Sequence, residues 1–498
     1  MHRRRGRLEL CGGRRWTISG ILSLAVRTGL VGLRQWRSPS CLAYGRRPLR
    51  SGAARERVPR SERRAGAWSD TIRQRSLIGW PRLGTAVKTK VPSCADSALA
   101  AASSAISDWW TDAPTRAWLQ QHVKIYRAQL DNLSRQIGKG AKVERKARDV
   151  VLGSASGRVC CLVRAAFKRG RVLSRAEVEF QAGRLRPWKD CGEPIIAVII
   201  KTSGGKERLT ASLGVQRLAL NYIVRDTLTA SFGLAQDEFN RPGRGTHDLI
   251  EALMERIRAA NDWVGTADIK DFYPSVGKEG LAERLKLPGT LVDHVILIGE
   301  EVPIRMPDGS KASESVRDLL RRGIPQGAPT SSFIASKILS DIVGQLETDA
   351  TILRYADDLV VVGWSKSEVD ATLNALKASF GSSPAGGLTL HKIDIRHIDE
   401  GVRVLGYKVI TDPSADTYIP RAFPAGAAFE RHFDRLASSL ADISPQGRDD
   451  FAIEKTLQWI SNWRCWSPSE RRIEAVLDQA LALSALVTRF DVPAHYGA

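Results

Sequence analysis

Two adjacent acids, Asp357 and Asp358, sit between the strand-like runs Ile352-Leu353-Arg354-Tyr355 and Leu359-Val360-Val361-Val362. Acids at the turn of a buried hairpin are costly to desolvate unless a cation or a hydrogen-bond donor meets them. A turn that needed only polarity would more readily use Asn-Gly or Asp-Gly. Alone, the pair reads equally well as a solvated loop. A third acid shifts that balance: Asp268 closes the apolar stretch Trp263-Val264-Gly265-Thr266-Ala267 and precedes Ile269-Lys270-Asp271-Phe272-Tyr273. Carboxylate oxygens are the hard ligands that magnesium prefers. If the two strands lie side by side, Asp268 and Asp357 can hold two such ions about 3.5–4 Å apart, the spacing used for in-line phosphoryl displacement.

The elements that must position these acids are legible around them. Ile195 to Ile200 reads as a buried strand, and Ser203-Gly204-Gly205-Lys206 as a turn into a second strand through Arg208 and Leu209. Residues 213–230 and 246–260 read as helices flanking the loop Arg241-Pro242-Gly243-Arg244-Gly245, residues 327–343 as a helix, and 351–363 as a tight hairpin. A second hairpin is expected around 395–410. Upstream, Trp109–Arg175 reads as helical, with Trp118, Val123, Tyr126 and Leu130 near helical spacing. Residues 425–498 divide into three antiparallel helices, the last opened by a capping box at Ser467-Pro468-Ser469-Glu470. Trp459, Trp463 and Trp466 could stack on nucleic acid, but aromatics at this density in a small bundle are more often core.

At 498 residues the chain is long enough for about two to four domains, and 43% hydrophobic and 26% charged residues suit globular cores. The formal charge of +21 is concentrated: residues 1–90 hold 22 Lys and Arg against 4 Asp and Glu, leaving only +3 for residues 91–498. The body is nearly balanced, so any basic surface for nucleic acid has to be local. Seven scattered cysteines with no CxxC pair suit neither a zinc module nor a disulfide framework, and a reducing cytoplasm is the expected compartment. The apolar run Ile18 to Val26 is too short for a membrane span. Its Arg-rich surroundings leave open an organellar presequence or a twin-arginine export signal, but we read residues 1–107 as a disordered or mis-started basic leader.

In order along the chain, TADIKDFYPSV, RRGIPQGAPTSSFIASKI, LRYADDLVVVG, GGLTLHKIDI and RVLGYKV closely resemble the palm motifs of bacterial reverse transcriptases, the group of retron, group II intron and phage-defence enzymes. Upstream, IIKTSGGKERLTAS resembles their fingers hairpin and FNRPGRGTHDLIEAL their FRPGRSxH segment. One YADD is weak evidence; the ordered series is specific. The resemblance implies an α+β right-hand polymerase: a helical lead-in over 108–180, fingers and palm over 181–412 with an antiparallel sheet packed on helices, and a helical thumb over 425–498. It implies RNA-directed DNA synthesis from dNTPs on an RNA template with a DNA or RNA primer, two Mg2+ ions, no membrane, and a cognate noncoding RNA as a further partner.

Carried onto single residues, the resemblance implies that Asp268 and Asp357 bind both ions, with Asp358 assisting or standing behind them without touching the metal. Tyr273 falls at the steric gate against ribonucleotides, or is a core aromatic. Gln326 and Gly327 match the loop lining the nucleotide pocket. Lys206 and Arg208 reach the triphosphate, although Lys206 reads equally as a solvated tip. Lys392 falls at the lysine that protonates departing pyrophosphate, or is an ordinary loop lysine. Arg241 and Arg244 resemble the arginines supporting the template, with a surface reading nearly as good. Gly406 and Tyr407 match the hairpin that grips the primer. Ser332 departs from the usual proline, and no NAxxH or VTG signature is present, which weakens a retron assignment. The chain ends after one thumb-sized bundle, with no HNH nuclease, so a solitary polymerase in a retroelement or in antiviral defence is expected. The competing readings are an RNA-dependent RNA polymerase and a catalytically silent RNA-binding scaffold.

Overall fold

A computed structural model describes residues 8–9, 15–16, 112–201, 207–259, 261–383, 386–411 and 419–490. The chain divides into two compact units, Met1–Val91 and Pro92–Ala498. In the first, Leu8–Glu9 pairs antiparallel with Arg15–Trp16, and the rest of the expected leader lies outside the described residues. So does Lys206.

The second unit opens with four helices: α1 (Ala113–Gln136), α2 (Ala141–Leu152), α3 (Ala155–Lys168) and α4 (Arg175–Arg184). Local chemistry starts three of them. Asp112 accepts from the Thr115 amide at 2.7 Å, Ser154 caps α3, and Ser174 and Glu177 form a reciprocal capping box. The stretch expected as helical from Trp109 to Arg175 is interrupted because Gly138 and Gly140 take φ of +83° and +112°, which a helix cannot continue through.

Then follow β1 (Ile195–Lys201), β2 (Glu207–Leu213), α5 (Val215–Phe232), α6 (Thr246–Arg258), β3 (Trp263–Ile269), β4 (Ile304–Arg305), α7 (Glu314–Arg321), α8 (Pro329–Val343), β5 (Thr351–Tyr355), β6 (Asp358–Gly363), α9 (Lys366–Gly381) and β7 (Leu390–His397). β8 (Val402–Val404), β9 (Tyr407–Thr411), β10 (Pro420–Pro424), α10 (Gly426–Leu440), α11 (Arg448–Ser461) and α12 (Glu470–Phe490) complete the fold. Ser469, rather than Ser467, caps α12, accepting from the Arg472 amide at 3.3 Å. Among the described residues no single helix is long and apolar enough to cross a membrane.

The central sheet runs β5-β6-β3-β7, every pair antiparallel. Alternation along its strands divides the side chains between two cores. Ala267, Ile269, Leu359 and Val361 join the larger core, with buried residues of α5, α8 and α9. Val264, Leu353, Val360 and Val362 join the smaller, with Leu249, Ile250 and Leu253 of α6 and Val402, Tyr407 and Val409 of the small β8-β9-β10 sheet. Burial on both faces is why Leu359 to Val362 reads as a continuous apolar run rather than an alternating one. The hairpin expected near 395–410 is corrected here: 390–397 pairs with β3, and the hairpin itself is β8-β9. Two covered faces keep the reach of β3 and β6 in strict register.

Close approach of α9 to that sheet depends on Gly265, where an added Cβ would stand 2.6 Å from Val369 Cγ1 and 2.9 Å from Leu373 Cδ1. Gly265→Ala is expected to lower unfolding free energy by about 1–3 kcal/mol through overpacking. A denaturant melt with an unchanged midpoint would contradict this packing.

Candidate active site

Strand pairing brings the three acids together. Asp268 stands directly opposite Asp358 across β3 and β6, and Asp357 occupies the two-residue turn between β5 and β6. The turn is pinned to β3 by a bond from the Ile269 amide to the Asp357 carbonyl at 3.1 Å. Cross-strand partners project to one face, so Asp268 and Asp358 share a side of the sheet beyond the apolar Val264, Val360 and Val362.

Burial and the crowding of like charges show in the acidities of Asp357 and Asp358. Burial raises the Asp357 carboxyl above its ordinary value and Asp268 raises it further, while Arg208 and Lys392 pull it back. Asp358 keeps an exposed surface, yet the protein crowding it, followed by Asp357 and then Asp268, pushes it up to about 6. Arg208, on the exposed arm of β2, is therefore electrostatically part of this cluster. Among the described residues no group of three or more His, Cys, Asp or Glu side chains is placed so that it could hold a metal ion as it stands. Asp268 instead accepts from Lys392 Nζ at 2.7 Å.

That bond arises from a bulge. Thr266 pairs with Asp394 and Asp268 with His391, so β7 carries one residue more than β3 over this stretch. Lys392 lies in the extra length with φ of +54°, the left-handed region, and its side chain is 70% exposed. Bulges re-aim side chains beside functional sites. The hydrogen bond to Asp268 raises the Lys392 ammonium above its ordinary value. His391, which no residue pattern singled out, also faces Asp268, with Nδ1 3.2 Å from its carbonyl oxygen and Nε2 3.6 Å from Oδ2.

The remaining expected site residues are distributed around this cluster. Tyr273 is half-buried against Phe272, and burial, then Asp357 and Glu238, raise its phenol. Its carbonyl accepts from Ile324 at 3.0 Å, and the Ala211 amide donates to the Gln326 carbonyl at 2.8 Å, so 323–327 stitches Tyr273 to β2. Gly327 has φ of +102°, and an added Cβ would stand 2.8 Å from the Ala211 carbonyl. Arg244 donates to the Gln236 carbonyl at 2.7 Å and lies over Phe239, while Arg241 lines a cleft of about 280 Å³ with Ser332 and Lys337.

Tyr407 is packed into the fold: it is 1% exposed, its hydroxyl is 2.7 Å from His247 Nδ1 and its ring is 4.6 Å from Trp463. Gly406, with φ of +86°, is left at the turn, 3.5 Å from Trp463 by an added Cβ. Trp459 stacks on His432 at 4.6 Å and meets Trp463 and Trp466 edge-on, the packing role expected of these rings.

Residues 199–409 match the reverse transcriptase (RNA-dependent DNA polymerase) family, a span that begins within β1 and ends within β9. No curated protein matches the chain. The chain carries a reverse transcriptase domain and is an enzyme, an RNA-directed DNA polymerase of the nucleotidyltransferase class, acting with a nucleic acid template and primer and with nucleotides.

The acidity of Asp358 offers a direct check. In protein kept free of divalent cations, its carboxyl is expected to titrate near 6 by carbon-detected NMR. Asp357→Asn removes a negative neighbour that favours the protonated form, so the midpoint should fall while burial keeps it above the ordinary carboxylate value. A midpoint unmoved or raised by that substitution would refute the charge coupling.

Proposed function

We propose that the acids at the ends of β3 and β6 are the polymerisation centre, extending a primer 3′-end by two-metal phosphoryl transfer. The observation that supports this reading best is the register that sets Asp268 against Asp358, with Asp357 in the adjoining turn. Three oxygen-donor carboxylates whose mutual repulsion is relieved by positive charge make a donor set that fits Mg2+. When bound by Asp268 and Asp357, with Asp358 beside them, the metal would supply polarisation of the primer hydroxyl and neutralisation of the triphosphate.

The chain's own residues do the rest. Arg208 offers a planar fork to phosphate oxygens, and its charge already reaches Asp357. Lys392 is a proton donor to departing pyrophosphate once it leaves Asp268, and until then the bond to Asp268 favours its protonated form. Gly327 and Gln326 floor the nucleotide pocket with backbone held to β2, and Tyr273 crowds a ribose 2′-hydroxyl.

In this reading β1 and β2 belong to the fingers, the central sheet with α5, α6, α8 and α9 to the palm, and α10 to α12 to the thumb. Arg241 and Arg244 support the template. Gly406 meets the primer, and its neighbours Leu405 and Tyr407 line a hollow of about 340 Å³ with Arg431 and Arg435. The biological setting we propose, on the resemblance of the motifs, is a bacterial retroelement or phage-defence system in the cytoplasm, with a cognate noncoding RNA as partner.

An Asp357→Ala/Asp358→Ala double variant should lose extension of a primed RNA template with dNTPs by about 10²–10³-fold or more. Equal activity in variant and parent would remove the mechanism. Tyr273→Ala should admit ribonucleotides that the parent excludes. Unaltered exclusion would reject the gate while leaving the carboxylate assignment standing.

A further inference from the structure

A further carboxylate, Glu238, is only 3% exposed and belongs to none of the motifs that resemble a known site. It lies in the loop joining α5 to α6. One of its oxygens, Oε1, accepts two backbone amides: that of Ala356 at 3.2 Å and that of Asn240 at 2.7 Å. Ala356 immediately precedes Asp357 and holds φ of +55°. A non-glycine residue stays in that left-handed region only where its surroundings over-determine it.

Glu238 is itself held firmly. The Arg354 amide donates to the Asp237 carbonyl at 3.0 Å and the Phe239 amide to the Arg354 carbonyl at 2.8 Å, so 237–239 runs parallel to β5 along the open edge of the central sheet. The Arg354 guanidinium, 0% exposed, pairs with the Asp237 carboxylate and donates to Ser340 Oγ at 2.7 Å and the Ser336 carbonyl at 3.1 Å. Phe239 is buried on the other face of the sheet, among Leu249, Leu353 and Val360. The segment is a strap anchored on both sides, with Glu238 between its anchors.

We propose that Glu238 is a positioning residue: its single oxygen ties the backbone of the Ala356-Asp357 turn to the start of the loop carrying Arg241 and Arg244. It fixes the height at which Asp357 presents its carboxylate, and it makes that height depend on the placement of the neighbouring arginine loop. The role needs an acceptor and not a charge, so glutamine can fill it and alanine or methionine cannot. This rests on Asp357 acting in catalysis, as proposed above.

The test is steady-state incorporation of dNTP on a saturating primed RNA template by the full chain, with Glu238→Ala, Glu238→Met and Glu238→Gln compared with the parent and with Asp357→Ala. Removing a buried acceptor should lower kcat by about tenfold to a hundredfold in the Ala and Met variants. The dNTP KM should stay within about threefold and the half-saturating Mg2+ concentration should rise. Glu238→Gln should recover kcat to within about threefold of the parent. Methionine keeps the side-chain volume, so thermal melts separate lost packing from lost positioning. Parent-like kcat in a folded Ala or Met variant, a Gln variant no better than Ala, or failure of both Ala and Met variants to fold would each overturn the proposal. An inactive Asp357→Ala beside a parent-like Glu238→Ala sinks this inference alone; an active Asp357→Ala sinks the reading beneath it.

Discussion

Confinement of three like charges at the end of an apolar sheet is the constraint on which the rest of this structure depends. Burial makes Asp357 and Asp358 costly to keep ionised, and the negative charge of Asp268 beside them adds to that cost. Strand register overcomes that cost: β3 and β6 cannot slip by one residue without turning Val264, Val360 and Val362 out of one core and Ala267, Leu359 and Val361 out of the other. The apolar residues thus do for the acids what no local interaction among the acids could do. A site built this way is primed for positive charge, and the Lys392 ammonium is the group that meets Asp268.

Around that cluster the backbone departs repeatedly from ordinary geometry. Ala356 and Lys392 both lie in the left-handed region, and Gly327 does so against the Ala211 carbonyl. Each departure sits where a different segment joins the site: the β5-β6 turn, the β7 bulge, and the loop before α8. Strain of this kind persists when neighbouring structure holds it. Here the holders are identifiable as the Glu238 carboxylate, the pairing of β7 with β3, and the bond between Ala211 and Gln326.

Tyr407 illustrates how a motif can be found from its residues while the contacts of its side chain stay hidden. The sequence Leu405-Gly406-Tyr407 does form a hairpin turn between β8 and β9. Its aromatic ring turns inward, onto His247 and Trp463, and so joins that hairpin to the start of α6 and the end of α11. Nothing in the local pattern distinguishes a tyrosine that grips a ligand from one that fastens three elements together, because both call for an aromatic with a polar tip. The three tryptophans of the last helices were legible as packing residues because aromatic density within a small bundle leaves few other places for them.

The amino-acid sequence by itself determined the apolar strands, the acids that end them and the helices between, since these follow from periodicity and residue type over a few neighbouring positions. Helix limits were less legible where Gly138 and Gly140 break a continuous pattern. Tertiary structure alone decided that Asp268 faces Asp358, that an extra residue in β7 swings Lys392 to Asp268, and that Glu238 reaches 118 positions along the chain to the Ala356 amide. Register between distant strands and the partner of a buried carboxylate depend on which surfaces meet when both cores close, a property of the whole packed chain and of no segment within it.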